Sequence, residues 1–308
     1  MSLDPYTISS ILGAEIVGRF KPGHGQIASV GDVQKMFDLS DANQPPAVVH
    51  KKESVNVDVV RRVFLELRDR RGDRGSPDLY VAEPERNSAF LAGCREAGLI
   101  AASDYILNKT LMNARRNGLL KGLNSVRTTI DYEDFAFAVE FAAMDLDYRT
   151  GATIDDIICD SMLGLEFDSI AKRVSPGHSF FEYRWAILSI RKAGRHEKVK
   201  GDLPVPVLDN QIRLILDPLE AVPETRGIYL LTAKDKPLYA HSTEHLRHGV
   251  ELHRQPTALA AFATKLWKPE PEKIIVKYAS VPKRISLGAV ERLVIEATKP
   301  IFNVPRAA

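Results

Sequence analysis

What the chain lacks narrows it first. Among 308 residues there are two cysteines, Cys94 and Cys159, far apart and each in an apolar context. A disulfide scaffold is therefore excluded, and reduced, buried thiols are expected. An excess of one charge is missing too, with 42 Lys+Arg against 40 Asp+Glu. A general attraction for nucleic acid is not written in that balance, so a binding face has to come from local clustering. No apolar run is long enough to span a bilayer and no signal peptide opens the chain; the expectation is a cytoplasmic protein with no membrane partner. Repeats and low-complexity stretches are lacking. The loop Pro22-Gly23-His24-Gly25 has no Gly-Lys-Ser/Thr ending, which argues against a phosphate-binding loop. The length suffices for two or three domains.

Residues 1–80 read as a mixed α/β segment. Its clearest element is an amphipathic helix over 57–70, with Val59, Val60, Val63, Phe64 and Leu67 on one side and a run of arginines on or just after it. Residues 81–200 read as helical. A helix over 87–97, a break at Gly98, and a second helix capped by Ser103 and stopped at Gly118 give a helix-turn-helix outline. The second helix offers Asn108, Lys109, Arg115 and Arg116, residue types suited to bases and phosphates. Residues 119–130 supply a candidate β-wing. Two helices packed in a larger helical domain explain the same pattern. Further helices are expected over 135–143, from Thr153 onward, and over 180–191. Asp155, Asp156 and Asp160 read as an acidic helix start rather than a metal set. The polar stretch 192–205 marks a domain boundary, and 203–224 reads as a joining segment.

The last part of the chain is the most specific. Gly227 to Leu231 and Leu238 to Ala240 are short apolar runs joined by a polar link, the pattern of a β-hairpin. A helix follows over 244–254, with Ser242 or Thr243 as its cap. Pro256 opens another helix. A third strand is expected over 273–278, and a helix over 287–298 stopped by Pro300. Gly227-Ile228-Tyr229, then Tyr239, then Glu291, then Asn303 behind Lys299-Pro300 stand in an order that resembles the GIY-YIG nuclease superfamily. Two departures are visible. His241 replaces the glycine of the second motif. Gly249 stands ten positions after Tyr239, where the family carries arginine. Arg247 is two residues earlier, about 200° round the helix, whereas His245 and His253 share the face of residue 249.

The resemblance implies a metal-dependent DNA endonuclease. Glu291 would hold Mg²⁺ or Mn²⁺, Tyr229 and Tyr239 would position or activate the attacking water, and Gly227 and Asn303 would support the site. The charge-stabilising arginine has no counterpart; His245 or His253 would have to replace it, or the nuclease is impaired. Arg247, Asn108, Lys109, Arg115 and Arg116 are the expected contacts to DNA. His241 and His245, four apart, could share a transition metal, but solvated imidazoles on an amphipathic helix explain them better. The expected fold class is α+β: a mainly helical N-terminal part with a winged-helix outline, and a small GIY-YIG-like domain over 220–308, with a three-stranded antiparallel sheet flanked by helices, able to fold alone. Beside the endonuclease stands the alternative of a non-catalytic nucleic-acid-binding protein with a degenerate nuclease domain, and behind both an interaction scaffold. DNA or RNA, the target sequence, the pathway and the oligomeric state are not fixed by these residues.

Overall fold

A computed structural model describes residues 55–196, 205–234, 236–263 and 270–304. The loop 22–25 lies outside them. The architecture is mixed α+β: a helical N-terminal region followed by a four-stranded antiparallel sheet with helices.

The helical region contains α1 (Val57–Arg71), α2 (Pro77–Ala82), α3 (Pro84–Glu96), α4 (Asp104–Arg116), α5 (Ala136–Thr150), α6 (Ile154–Cys159), α7 (Ser161–Val174) and α8 (Phe180–His196). Local chemistry sets most of these boundaries. The Asn56 side chain accepts from the first N–H groups of α1, and Gly72 closes that helix at φ +62°. Ser76 caps α2 with Pro77 at its first turn, and Ser103 caps α4. Thr153 and Asp156 form a reciprocal capping box on α6. Asp160 caps α7. Cys94 and Cys159 are buried and free.

Residues 117–132 form turns and extended coil rather than strands, so the expected β-wing is not present. The segment is a strap pinned to the helices. The Val126 N–H donates to Arg74 O, Arg68 donates to Asn124 O, and Trp185 Nε1 donates to Thr128 O. Alternating apolar residues that could pair as a hairpin are lacking here, and the helices supply the partners instead.

In the sheet, β1 (Asn210–Arg213), β4 (Ile274–Ser280), β2 (Gly227–Ala233) and β3 (Lys236–Thr243) lie side by side in that order. The expectation of three strands missed β1. It falls in the stretch read as a joining segment, and only Ile212 of its four residues is buried, too little for a period-two signal. β2 is central, with Tyr229 opposite His241 on one side and Tyr278 on the other. β3 is an edge strand whose outer side is covered. Ile301 and Phe302 N–H groups donate to Pro237 and Leu238 carbonyls, and the Asn303 amide both accepts from Ala240 N–H and donates to Ala240 O.

Three helices complete this region: α9 (Leu246–Leu252), α10 (Pro256–Phe262) and α11 (Leu287–Thr298). The first is shorter than the expected 244–254 because β3 runs on through Thr243, whose hydroxyl accepts from His245 N–H. One sheet face packs Ile228, Leu230 and Ala240 against Val290 and Val294 of α11. The other face carries Tyr229, Leu231 and Tyr239 into the same core as α5. Phe137 lies 5.1 Å from the Tyr239 ring, 4.9 Å from His253 and 4.9 Å from Phe262. Buried Glu140 accepts from Val304 N–H and from the Asn303 amide. The expectation that 220–308 is self-contained meets this shared core. No helix among the described residues is long and apolar enough to cross a membrane.

Candidate functional site

Antiparallel register brings the site together. Residues opposite each other across β2 and β3 point to one face, and side chains two apart on a strand share it. Tyr229 therefore stands beside His241, and Tyr239 is on the same face. The loop between β3 and α9 then turns the chain so that Gly249 and His253 fall against Tyr229. The Tyr229 hydroxyl is 2.8 Å from His253 Nε2. Close approach explains both glycines. A Cβ on Gly227 would collide with the Ala279 carbonyl oxygen and Leu246, and one on Gly249 would lie 3.1 Å from the Tyr229 ring and 3.1 Å from Thr243.

Glu291 reaches the site from α11. Its Oε2 accepts from Ser242 N–H at 2.8 Å and from the Ser242 hydroxyl at 2.9 Å, and lies 3.3 Å from His241 Nδ1. The His241 ring is stacked on Tyr239, with centroids 6.0 Å apart and planes at 22°. From the helical region come Glu133, which accepts from the Thr243 hydroxyl, and Phe137. A small cleft is lined by Glu133, Asp134, Phe137, Tyr229, Tyr239, His241, His253 and neighbours; neither arginine nor lysine is among its described lining residues.

The electrostatics follow from burial and carboxylates. Burial, aided by Glu291, Glu133 and Glu140, holds the Tyr229 phenol well above its ordinary range. Burial and the nearby His241 push His253 down to about 3, so its imidazole is neutral. For His241 burial acts downward but is outweighed by the carboxylates, Glu291 first, and the net direction is up. The pair that results is a neutral phenol–imidazole couple beside an imidazole–carboxylate couple.

Tyr229, Tyr239, His253 and Glu291 thus converge, with Gly227 and Asn303 holding the strands that carry them. His245 does not join them: it is exposed, ahead of α9. The His241–His245 pairing fails because residue 241 is on a strand, where four residues no longer share one helical face. Among the described residues no three His, Cys, Asp or Glu side chains gather as a metal set. Arg247 is held by Val222 O and Glu224.

The α4 residues lie elsewhere. Asn108 is 1% exposed, its amide bonded to Asn87 and to Cys159 O, so it does not present a base-reading group. Lys109 pairs with Asp155 and Asp156, Arg115 with Asp78, and Arg116 with Asp155. The acidic start of α6 is thereby engaged by cations of the protein itself.

Sequence reasoning missed Glu133, Phe137 and Glu140 as parts of the site. One signal was present: Glu140 is the lone carboxylate in the apolar run 135–143, and such a group is buried only with a partner. No family model, curated protein or solved structure matches this chain.

Proposed function

We propose that residues 220–308 form a GIY-YIG-type domain that no longer cleaves phosphodiesters, and that the protein is a non-catalytic nucleic-acid-binding protein. The observation that carries this reading is the roof over the tyrosines. Tyr229 is 1% and Tyr239 0% exposed, and Phe137 packs edge-on against Tyr239 and His253. Reacting atoms have to approach to about 3–3.5 Å, which a phosphodiester backbone does not achieve at an enclosed phenol.

Charge argues the same way. Developing phosphoryl charge needs fixed positive groups, whereas Glu133 and Asp134 face this cleft. Where the resemblance places arginine stands Gly249, packed on the Tyr229 ring. The residues also do not fit Mg²⁺ or Mn²⁺. The Glu291 oxygen that would take the ion already receives two hydrogen bonds from Ser242 and the approach of His241. Support for binding comes from exposed Arg71, Arg74 and Arg127, at the end of α1 and on the part of the 117–132 strap that bonds to it through Val126 N–H and Arg74 O.

One observation favours the second reading, an active DNA endonuclease. The neutral His253 imidazole, 2.8 Å from the Tyr229 hydroxyl, is placed to accept a phenolic proton.

Nicking of supercoiled plasmid with Mg²⁺ or Mn²⁺, together with DNA and RNA binding over a salt series, separates the readings. The expected result is no nicking above a Glu291→Ala control, and binding that weakens with salt. Arg74→Ala/Arg127→Ala should lower the salt slope by about 2, near 0.9 per lost phosphate contact on duplex DNA. Parental nicking that Glu291→Ala abolishes restores the endonuclease. Salt-insensitive or undetectable binding to both nucleic acids removes the binding reading.

A further inference from the structure

We propose that the His241 imidazole occupies the place beside Glu291 where this site would otherwise take a divalent cation. The inference rests on the reading above in taking Glu291 as the carboxylate that would carry the ion.

Two donors and a neighbouring imidazole nitrogen meet at one oxygen. Ser242 N–H at 2.8 Å, the Ser242 hydroxyl at 2.9 Å and His241 Nδ1 at 3.3 Å all face Glu291 Oε2. A magnesium ion bound there would sit at about 2.0–2.1 Å and keep several waters. The imidazole fills the volume those waters need. It is also held in place. Its ring stacks on Tyr239 and stands edge-on to Tyr229, and the side chain is only 12% exposed. A cation arriving from solvent has to displace a packed ring, not a mobile surface group.

Other carboxylates are gathered towards the same imidazole. Glu133 lines the cleft that His241 lines. Glu140 holds the Asn303 amide, and that amide clasps Ala240, the residue before His241. The site is thus surrounded by carboxylates, and the ring that fills it is covalently part of β3. In the motif that the strand resembles, this position is glycine and presents no side chain.

Removing the imidazole while leaving the carboxylates should open the site to metal. The experiment is Mn²⁺ binding to the full chain without nucleic acid, followed by loss of the free-ion electron paramagnetic resonance signal. The parent should take up no Mn²⁺ that depends on Glu291. His241→Ala should bind one ion at least tenfold more tightly than the parent. His241→Ala/Glu291→Gln should lose that ion, and His241→Lys, which keeps a cation in place, should exclude it.

The proposal is overturned if the parent binds Mn²⁺ and Glu291→Gln abolishes it, or if folded His241→Ala binds no better than the parent. Should His241→Ala not melt cooperatively, the parent and Glu291→Gln decide: uptake that depends on Glu291 overturns the proposal, and equal absence of uptake supports it. Failure to bind DNA or RNA would leave this result untouched, so the two readings fail separately.

Discussion

Carboxylates packed between helices and those that face the sheet are paired differently. Between the helices, Asp168, Asp78 and Asp155 each meet a guanidinium or an ammonium. Asp168, fully buried, is gripped by Arg184 through Nε at 3.0 Å and Nη2 at 2.6 Å. Asp78 lies between Lys192 and Arg115, and Asp155 takes Arg116 and Arg191. At the sheet the partners are a hydroxyl for Glu133, an amide for Glu140, and a serine with an imidazole for Glu291. Full charge pairing fixes the packing of helices. Neutral or titratable partners leave a local negative field at this face of the sheet.

The sharpest way to break the first half of this comparison is Asp168→Ala. It would leave the Arg184 guanidinium, 6% exposed, buried without its carboxylate. Breaking a buried pair from one side costs about 3–5 kcal/mol, the largest effect expected here. Urea unfolding of parent and variant measures it. Asp168→Ala/Arg184→Met, which removes both charges, should recover much of the loss. A loss under about 1 kcal/mol for the single variant would show that water reaches Arg184 and that the pair is not the lock described here.

How much of this was legible in the sequence differs between the two regions for a physical reason. Helix boundaries were readable because caps are local. Ser103 and Thr153 act on backbone groups three residues away. The convergence of Tyr229, Tyr239 and Glu291 followed from motif order. The roof did not, because Phe137 and Glu140 meet residues about a hundred or more positions later, and periodicity within one helix says nothing about such partners. The acidic partners of the α4 cations were hidden for the same reason. A basic helix face reads alike whether or not Asp78 and Asp155 stand beside it.

The second comparison is between the two glycines beside Tyr229, and its effect should be intermediate. Gly227→Ala forces a methyl onto a neighbouring backbone carbonyl, which has little room to move within a four-stranded sheet. A cost of about 2–3 kcal/mol is expected, at the upper end for overpacking. Gly249→Ala meets side-chain carbons of Thr243 and Tyr229 at 3.1 Å, which can shift by a few tenths of an ångström. It also gains helix propensity of about 0.8–1 kcal/mol, so its net effect should stay within about 1 kcal/mol. Thermal melts of both variants test the order. If Gly249→Ala is the more damaging, α9 is wedged against Tyr229 more rigidly than its contacts indicate.

The smallest effect, and the one that separates the regions most cleanly, is in pH. His253 has its folded value depressed to about 3 from an ordinary 6.5. Below pH 6.5 the unfolded chain takes a proton that the folded one refuses. Its contribution is therefore fully present above pH 6.5 and is lost as the pH falls toward 3. Between pH 6.5 and 5 that amounts to about 1–2 kcal/mol. His241 has the opposite sign: its value is raised, so its contribution is present below 6.5 and is lost as the pH rises through its folded value. The paired carboxylates Asp78, Asp155 and Asp156 are lowered from 3.8, burial working against the shift and their cationic and hydrogen-bonding partners outweighing it. They lose stability only as the pH falls below about 4. Asp168, raised by burial to about 6 against the pull of Arg184, takes up a proton in the folded chain across the same interval and acts with the opposite sign, so His253 is read from the difference between parent and variant. Urea titrations at pH 7, 6 and 5 should show the parent losing stability relative to His253→Gln as the pH falls, by about 1–2 kcal/mol between pH 6.5 and 5. If parent and His253→Gln change in parallel from pH 7 to pH 5, His253 is hydrated, and the roof over Tyr229 opens in solution.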